Sequence, residues 1–153
     1  MEALYTVKTK YTYKEYRKFS YYCMWHSSWV TLAICYVIMV ALLIHSVINE
    51  NIVSSCIAVA FFVVMPIFVE YTFRKAYKSK KFNGGEIIMH FYEEHVESEG
   101  TKGTTKFLYK NLYKVVETKT SFYIMMGNNM GFIVMKENCS EELCEFIRNI
   151  KKD

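Results

Sequence analysis

Histidine is the residue type in this chain with the widest chemical repertoire, because it can hold a metal ion or exchange a proton near neutral pH. The four histidines are His26, His45, His90 and His95. The last two lie five positions apart, so on one continuous strand they would point to opposite faces, and only a hairpin turn could reverse this. No third ligand is spaced with them as a zinc site requires. We predict no metal site and no cofactor.

The cysteines and carboxylates give no catalytic pattern either. The five cysteines contain no C-x-x-C pair, and their odd number argues against a disulfide framework. The only aspartate is Asp153, and the pair Glu93–Glu94 falls at a predicted turn, where solvated carboxylates are usual. The stretch EGTKGTTK, Glu99–Lys106, lacks the Walker spacing, and the chain has no G-x-S-x-G. The sequence therefore predicts a protein that is not an enzyme.

Three lysines around one predicted hairpin are the candidate binding surface: Lys102, Lys106 and Lys110. They could face anionic lipid head groups or a protein partner, and ordinary solvated lysines are the alternative. Residues 1–83 carry a net charge of +6 and residues 84–153 a net charge of −2. Because a nucleic-acid-binding domain is expected to be basic, the mildly acidic second half argues against nucleic acid as a partner.

Two apolar runs dominate the first half of the chain. Trp29–Ile48 and Ile52–Val69 contain no Asp, Glu, Lys or Arg. At 1.5 Å per residue they span roughly 30 and 27 Å, which is close to the thickness of a bilayer core. Apolar residues cover every face of both runs, and the rest of the chain is too short to bury them. We predict a transmembrane hairpin in contact with the lipid bilayer, rather than a soluble core or a cleaved signal peptide.

Charged and aromatic flanks predict how this hairpin sits in the membrane. Five basic residues precede the first run, five follow the second, and the turn Asn49–Asn51 has none. The positive-inside rule then predicts a multi-pass protein of the cell membrane with both termini in the cytoplasm. Small residues Ser54 and Ala58 offer a contact between the helices. The aromatic residues predicted to anchor the inner interface are Tyr21, Tyr22, Trp25, Tyr71 and Phe73.

Both helices are predicted to continue beyond the membrane. Thr12 and Glu15 fit a capping box that would start the first helix, which then runs uninterrupted to Ile48. The second helix is predicted from Ile52 to Lys81, with a kink at Pro66 and a stop at Asn83-Gly84-Gly85.

After Gly85 the apolar residues alternate with the period of a strand. Glu86–Glu93 places Ile87, Met89 and Phe91 on one face. Further strands are predicted on either side of turns at Gly100–Gly103, Lys119–Ser121 and Asn128-Asn129, the last as a two-residue loop. ALYTVKTKY near the N-terminus also alternates and could add a strand to this sheet.

A closing amphipathic helix is predicted after Ser140, a suitable N-cap. Its apolar stripe consists of Leu143, Phe146, Ile147 and Ile150. The fold class is therefore a membrane α+β protein: a two-helix transmembrane hairpin followed by a small antiparallel β domain with a C-terminal helix. Six or so strands and one helix have the outline of a pleckstrin-homology-like barrel.

With these elements, the chain resembles the YcxB-like membrane proteins of bacteria, which combine two membrane helices with a cytosolic pleckstrin-homology-like domain. The resemblance rests on YKNLYKVVETKTSFYI, Tyr109–Ile124, and on GFIVMKENCSEELCEFIRNIKK, Gly131–Lys152. Three positions depart from the family pattern: Tyr109 stands where Trp is commoner, Met135 where Pro is frequent, and His95 where a turn Gly is frequent. The resemblance implies a fold and brings no catalytic residue.

The predicted organisation has four parts. Residues 1–27 form an N-terminal strand and juxtamembrane helix, 28–71 the hairpin, 72–83 a basic cytoplasmic stalk, and 84–153 the pleckstrin-homology-like domain. The expected function is that of an anchored binding or regulatory module for a protein, peptide or lipid. The alternative is a subunit of an oligomeric transport or membrane-sensor complex. That alternative needs a homo-oligomer or a larger partner, because the spans hold no charged residue to line an ion path.

Overall fold

The computed structural model describes residues 2–50, 52–79, 86–100 and 103–150. Two long helices, α1 (Tyr13–Ile48) and α2 (Ile52–Ser79), form an antiparallel hairpin. Both are long and apolar enough to cross a membrane, and only 6% of the most apolar window of each is buried. Apolar side chains left uncovered along two helices of this length are those of helices surrounded by lipid. The predicted membrane α+β fold is confirmed in this respect.

The start of α1 forms as its capping residues predict. Thr12 has an extended backbone, and its hydroxyl accepts a hydrogen bond from the Glu15 amide at 3.3 Å. The Glu15 carboxylate, however, bonds to Lys18, Thr120 and Ser121, so it acts in tertiary contacts as well as in the first turn. Helix α2 starts at Ile52 as predicted and continues through Pro66. Its predicted end at Lys81 and stop at Asn83-Gly84-Gly85 lie outside the described residues.

The described residues contain seven strands, which form two antiparallel sheets, each with its strands in chain order. The first sheet has the order β1 (Tyr5–Lys10), β2 (Glu86–Phe91), β3 (His95–Gly100) and β4 (Gly103–Leu108). The second has the order β5 (Lys114–Glu117), β6 (Ser121–Met125) and β7 (Gly131–Met135). The C-terminal helix α3 covers Glu141–Asn149. The predicted antiparallel strands and closing helix are thereby confirmed.

Strand β1 joins the first sheet although it precedes the whole hairpin. It pairs with β2 in a register that runs from Tyr5 opposite Phe91 to Lys10 opposite Glu86. The two helices are therefore an insertion between two neighbouring strands of one sheet. This arrangement ties both ends of the hairpin to the sheet, because the chain leaves from β1 and returns to β2.

The core between the sheets and α3 follows the predicted alternation. Met89 and Phe91 are fully buried, and they pack with Phe122 from the second sheet. Helix α3 begins at the N-cap Ser140, whose hydroxyl accepts a hydrogen bond from the Leu143 amide. Its predicted stripe faces this core: Leu143 and Ile147 are buried, and Phe146 and Ile150 pack against them.

Three turns between strands were predicted. The structure agrees with the prediction at Gly100–Gly103 and differs from it at the two later turns. Gly100 pairs with Gly103, whose φ of 123° favours glycine, so β3 ends and β4 begins at the two predicted glycines, and the residues between them lie outside the described ones. Strand β6 already includes Ser121, so the β5–β6 turn covers residues 118–120 rather than Lys119–Ser121.

The predicted two-residue loop at Asn128-Asn129 is wrong. Met125 pairs with Gly131, which leaves a five-residue loop, and the Met126 amide donates to the Met130 carbonyl at 2.9 Å. Among the described non-glycine residues only Glu50 has a positive φ. The longer loop spreads the reversal over more residues, so neither asparagine needs a left-handed backbone. We call this segment, Met126–Met130, the β6–β7 loop.

Candidate docking edge

Strand β4 is an outer edge of the first sheet and is largely exposed. It pairs with β3 along one side, and the sheet ends with it. Its residues from Gly103 to Lys106 are exposed, and Phe107 and Leu108 are partly buried. An edge strand presents backbone N–H and C=O groups that can pair with another extended chain. The opposite edge, β1, lies against β7 and the short helical segment Lys136–Asn138.

A cleft of about 510 Å³ lies at the end of β4. Its apolar wall is formed by Leu108, by Phe146 of α3 and by Ile150, which follows α3, and Tyr109 also lines the cleft. The Tyr109 hydroxyl donates to the Tyr92 carbonyl at 2.8 Å, and burial raises the pKa of this phenol well above its usual value. The cleft therefore has a fixed, neutral wall, which suits an apolar side chain.

Two of the three lysines predicted as a binding surface, Lys106 and Lys110, lie beside carboxylates. Lys106 on β4 lies opposite Glu97 on β3, and its ammonium is 3.6 Å from the Glu97 carboxylate. Lys110 lines the cleft together with Glu93 and Glu94. Lys102 lies outside the described residues. Neighbouring carboxylates reduce the positive potential of the two described lysines, so an anionic surface is a poor match for them.

His90 and His95 lie on adjacent strands, because a turn separates them. The Nδ1 atom of His90 is 3.0 Å from the Thr6 hydroxyl. The ring of His95 stacks on Tyr92 with centroids 4.4 Å apart, and its Nε2 is 3.2 Å from Glu97. No group of three or more metal-ligating residues occurs in the described part of the chain.

The base of α1 is attached to the second sheet by a buried carboxylate that sequence reasoning assigned only to helix capping. Glu15 accepts hydrogen bonds from the hydroxyls of Ser121 at 3.0 Å and Thr120 at 3.3 Å. The Lys18 ammonium lies 2.7 Å from the same carboxylate. A buried polar network that is satisfied in this way fixes the relative position of its elements.

A second apolar core reinforces this attachment. It consists of the buried residues Tyr11, Phe19, Cys23, Tyr123, Met125 and Ile133. The Tyr11 hydroxyl accepts a hydrogen bond from the Ile133 amide at 3.2 Å, and burial raises the pKa of Tyr11 to about 12. The Tyr11 carbonyl accepts from Tyr77 of α2 at 2.8 Å. One residue thus joins the sheets to both helices.

The residues predicted to anchor the inner interface divide into two groups. Trp25 and Tyr71 are 66% and 59% exposed, as residues in contact with a membrane surface would be. Tyr21 packs on Phe73 with ring centroids 5.1 Å apart, and Tyr22 packs against Tyr123 at 5.5 Å. The second group therefore holds the helices and sheets together.

The two small residues predicted at the helix–helix contact are both at least partly buried. Ala58 is the buried residue of α2, at 2% exposure. Near the turn of the hairpin, the hydroxyls of Ser46 and Ser55 lie 2.9 Å apart, a polar contact that the sequence pattern did not predict. Ser54 is partly buried one position away.

Glu117 on β5 forms an exposed ion cluster that should make stability depend on pH. Its carboxylate accepts from Arg148 of α3 at 2.9 Å and from Lys136 at 2.6 Å, and these hydrogen bonds lower its pKa to about 2. Because the folded-state pKa is depressed, the stabilisation is complete above the ordinary carboxyl pKa and is lost as the pH falls towards 2.

We therefore expect Glu117→Gln to lower the stability of the sheets most above pH 4.5, the usual carboxyl value, with a difference from wild type that shrinks towards pH 2. Denaturant unfolding of the purified full-length protein across this range would measure it. Glu137→Gln, at an exposed site next to Lys136, is the matched control. A Glu117→Gln effect that did not change with pH would show that the ion cluster adds nothing to the folded state.

These elements define a class of protein: a membrane α+β protein whose antiparallel sheet carries a two-helix apolar insertion between its first two strands. Residues 91–150 match the family model described as YcxB-like protein, so over this region the chain is similar to that family. The match runs from the last residue of β2 through α3, and it confirms the resemblance predicted from the sequence. Neither the curated proteins nor the solved structures contain a match to the chain.

Proposed function

We propose that this protein is a membrane-anchored, non-enzymatic docking module that binds an extended segment of a partner protein along β4. The basic flanks of the hairpin support a position of the sheets on the cytoplasmic side of the cell membrane. The observation that carries the proposal is the exposed edge strand beside a cleft with an apolar wall. Strand addition at such an edge takes affinity from main-chain hydrogen bonds and specificity from adjacent pockets.

The sequence of β4 leaves its edge open to pairing. The strand reads Gly-Thr-Thr-Lys-Phe-Leu, with no proline to remove a backbone donor and with one lysine as the only charge. Natural edges that avoid pairing are usually very short or carry several charges, prolines or bulges. β4 has six residues in unbroken register with β3. It can therefore offer a full strand's length to a partner.

The cleft at the end of β4 would set which segment binds. An extended chain continuing past Leu108 would place a side chain near Phe146 and Ile150, which favours an apolar residue. The rim bears both the positive charge of Lys110 and the negative charges of Glu93 and Glu94. Charged residues of either sign in the partner segment could therefore form an ion pair there. This mixed rim favours a peptide over an anionic lipid head group.

Site-specific photo-crosslinking in the native membrane would test the proposal. A benzophenone amino acid replaces Thr104, an exposed residue on β4, in the full-length protein. We expect adducts with one protein, mapped by mass spectrometry to one short segment. A synthetic peptide of that segment should then slow hydrogen exchange at the amides of β4. The matched control is the same crosslinker at Lys8, an exposed residue on β1 at the other edge of the sheet.

Three results would count against docking at β4. Adducts with phospholipid alone would assign this surface to the membrane. Adducts with a second copy of the chain would favour the oligomeric alternative. The same adducts at Thr104 and at Lys8 would show that the edge has no selectivity.

A further inference from the structure

The β6–β7 loop lies beside the point where α1 enters the membrane-spanning run. A cleft of about 550 Å³ is lined by Met126, Asn129 and Met130 of the loop and by Ser27 and Ser28 of α1. Ser28 directly precedes the uncharged run that begins at Trp29. Along the axis of α1, the loop therefore lies level with the residues at which the membrane-spanning run begins.

The direction of β6 explains this position. At its start, the Ser121 hydroxyl is 3.0 Å from the Glu15 carboxylate near the base of α1. Two residues later the ring of Tyr123 packs on Phe19 at 5.1 Å. Strand β6 thus advances along α1 towards the bilayer, and the β6–β7 loop is the part of the second sheet that reaches furthest in that direction.

The loop is uncharged and exposes an apolar side chain at its tip. From Ser121 to Met135 there is no charged residue. At its tip Asn128, Asn129 and Met130 are exposed, and Met130 is 60% exposed. Exposed apolar side chains on a soluble surface are unfavourable when clustered, whereas at a bilayer interface they bury apolar area. Methionine is flexible enough to enter such a layer without a fixed pocket.

Other exposed aromatic residues lie at the same level along α1 as Ser27 and Ser28, or beside the loop. Trp25 and Trp29 on α1 are 66% and 57% exposed, and Tyr113 before β5 is 52% exposed. The Tyr113 amide donates to the Met125 carbonyl at 2.8 Å, so this tyrosine lies next to the loop. The ammonium of Lys114 lies 5.4 Å from the centre of the Tyr22 ring. Aromatic side chains with a nearby cation are typical of the interfacial layer of a membrane.

We propose that the β6–β7 loop inserts Met130 into the interface of the same bilayer that the hairpin spans. The sheets then touch the membrane at two points, the base of the helices and this loop, and their orientation relative to the bilayer is fixed. The ligand is the lipid bilayer itself, recognised by apolar burial rather than by a head-group pocket. This inference does not depend on docking at β4.

Photo-crosslinking to lipid tests the insertion directly. A benzophenone amino acid replaces Met130 in the full-length protein, which is reconstituted in vesicles of phosphatidylcholine and phosphatidylglycerol. Val37, 69% exposed in the middle of the α1 run, is the positive reference, and Glu137, exposed beyond the far end of β7, is the negative reference. We expect phospholipid adducts at Met130 about tenfold above those at Glu137, because interfacial side chains reach roughly 5–10 Å into the bilayer.

A second crosslinker position controls for a local structural change caused by the substitution at Met130. Asn128, two residues away and also exposed, should give phospholipid adducts above the Glu137 level. Yields at both loop positions equal to the yield at Glu137 would overturn the proposal. Adducts of Met130 with protein alone would overturn it too, because the loop would then be covered by a polypeptide rather than by lipid.

Discussion

Val7→Asp is expected to unfold the first sheet while leaving the hairpin in the membrane. Val7 is 2% exposed and packs in the core with Met89 and Phe91. An unpaired carboxylate at this position costs several kcal/mol, and relief requires β1 to leave the sheet. The measurement is hydrogen exchange of the full-length protein in detergent, in which the amides of β2 should lose their protection.

The control for this change lies next to it in the sequence. Lys8 is exposed on the other face of β1, so Lys8→Asp adds the same carboxylate without burying it. We expect its exchange pattern to resemble that of the wild type. If Val7→Asp left the amides of β2 protected, the contribution of β1 to the sheet would be refuted.

Gly131→Ala is expected to have the second large effect. A Cβ atom at this position would lie 2.6 Å from the Ile124 carbonyl oxygen and 3.2 Å from the Met125 Cα. Both contacts are with backbone, which cannot rotate away, so the β6–β7 pairing must shift. Overpacking of this kind costs about 1–3 kcal/mol or more. Denaturant unfolding of the purified protein would measure the loss.

Gly127→Ala is the matched control, because it makes the same chemical change in the adjoining loop. A Cβ atom at Gly127 meets no other atom within 4 Å. We expect an unfolding free energy close to that of the wild type. Equal unfolding free energies of the two variants would mean that the Ile124 carbonyl oxygen lies further than 2.6 Å from a Cβ atom at position 131.

The local structure of the chain was predictable because its signals are local. Thr12 and Ser140 cap helices through hydrogen bonds to amides three residues on. The buried positions Met89 and Phe91 follow from simple alternation. Apolar runs of a bilayer's length identify the hairpin without any tertiary information.

The tertiary assembly was not predictable, because its contacts join distant residues. Tyr5 and Phe91 pair across the entire hairpin, and alternation alone does not specify a strand's partner. Glu15 looks like a capping residue in the sequence, and only the position of Ser121 shows its second role. The β6–β7 loop was predicted too short because Asn-Asn is a strong turn signal, whereas the register of Met125 with Gly131 sets its length.

The same long-range pairing protects the other side of the first sheet. Strand β1 covers β2 there, and β4 is the edge on the opposite side. A sheet without β1 would expose the edge of β2, a strand of the same length as β4 but more apolar, with Met89 and Phe91. Because β1 covers β2 and itself lies against β7, the exposed edge of this sheet in the described part of the chain is β4.

The pairing of β1 with β2 can be measured directly by a disulfide across the hairpin. The Thr6 hydroxyl and His90 Nδ1 lie 3.0 Å apart on neighbouring strands, so cysteines at these two positions should crosslink on oxidation in a variant without the native cysteines. A protease site placed in the turn at Asn49–Glu50 then allows the chain to be cut. The structure predicts that the two fragments stay joined until the disulfide is reduced. As a control, cysteines at Thr6 and Thr104 should form no disulfide, and cleavage should give separate fragments. Separate fragments from the Thr6–His90 pair after oxidation would contradict the account.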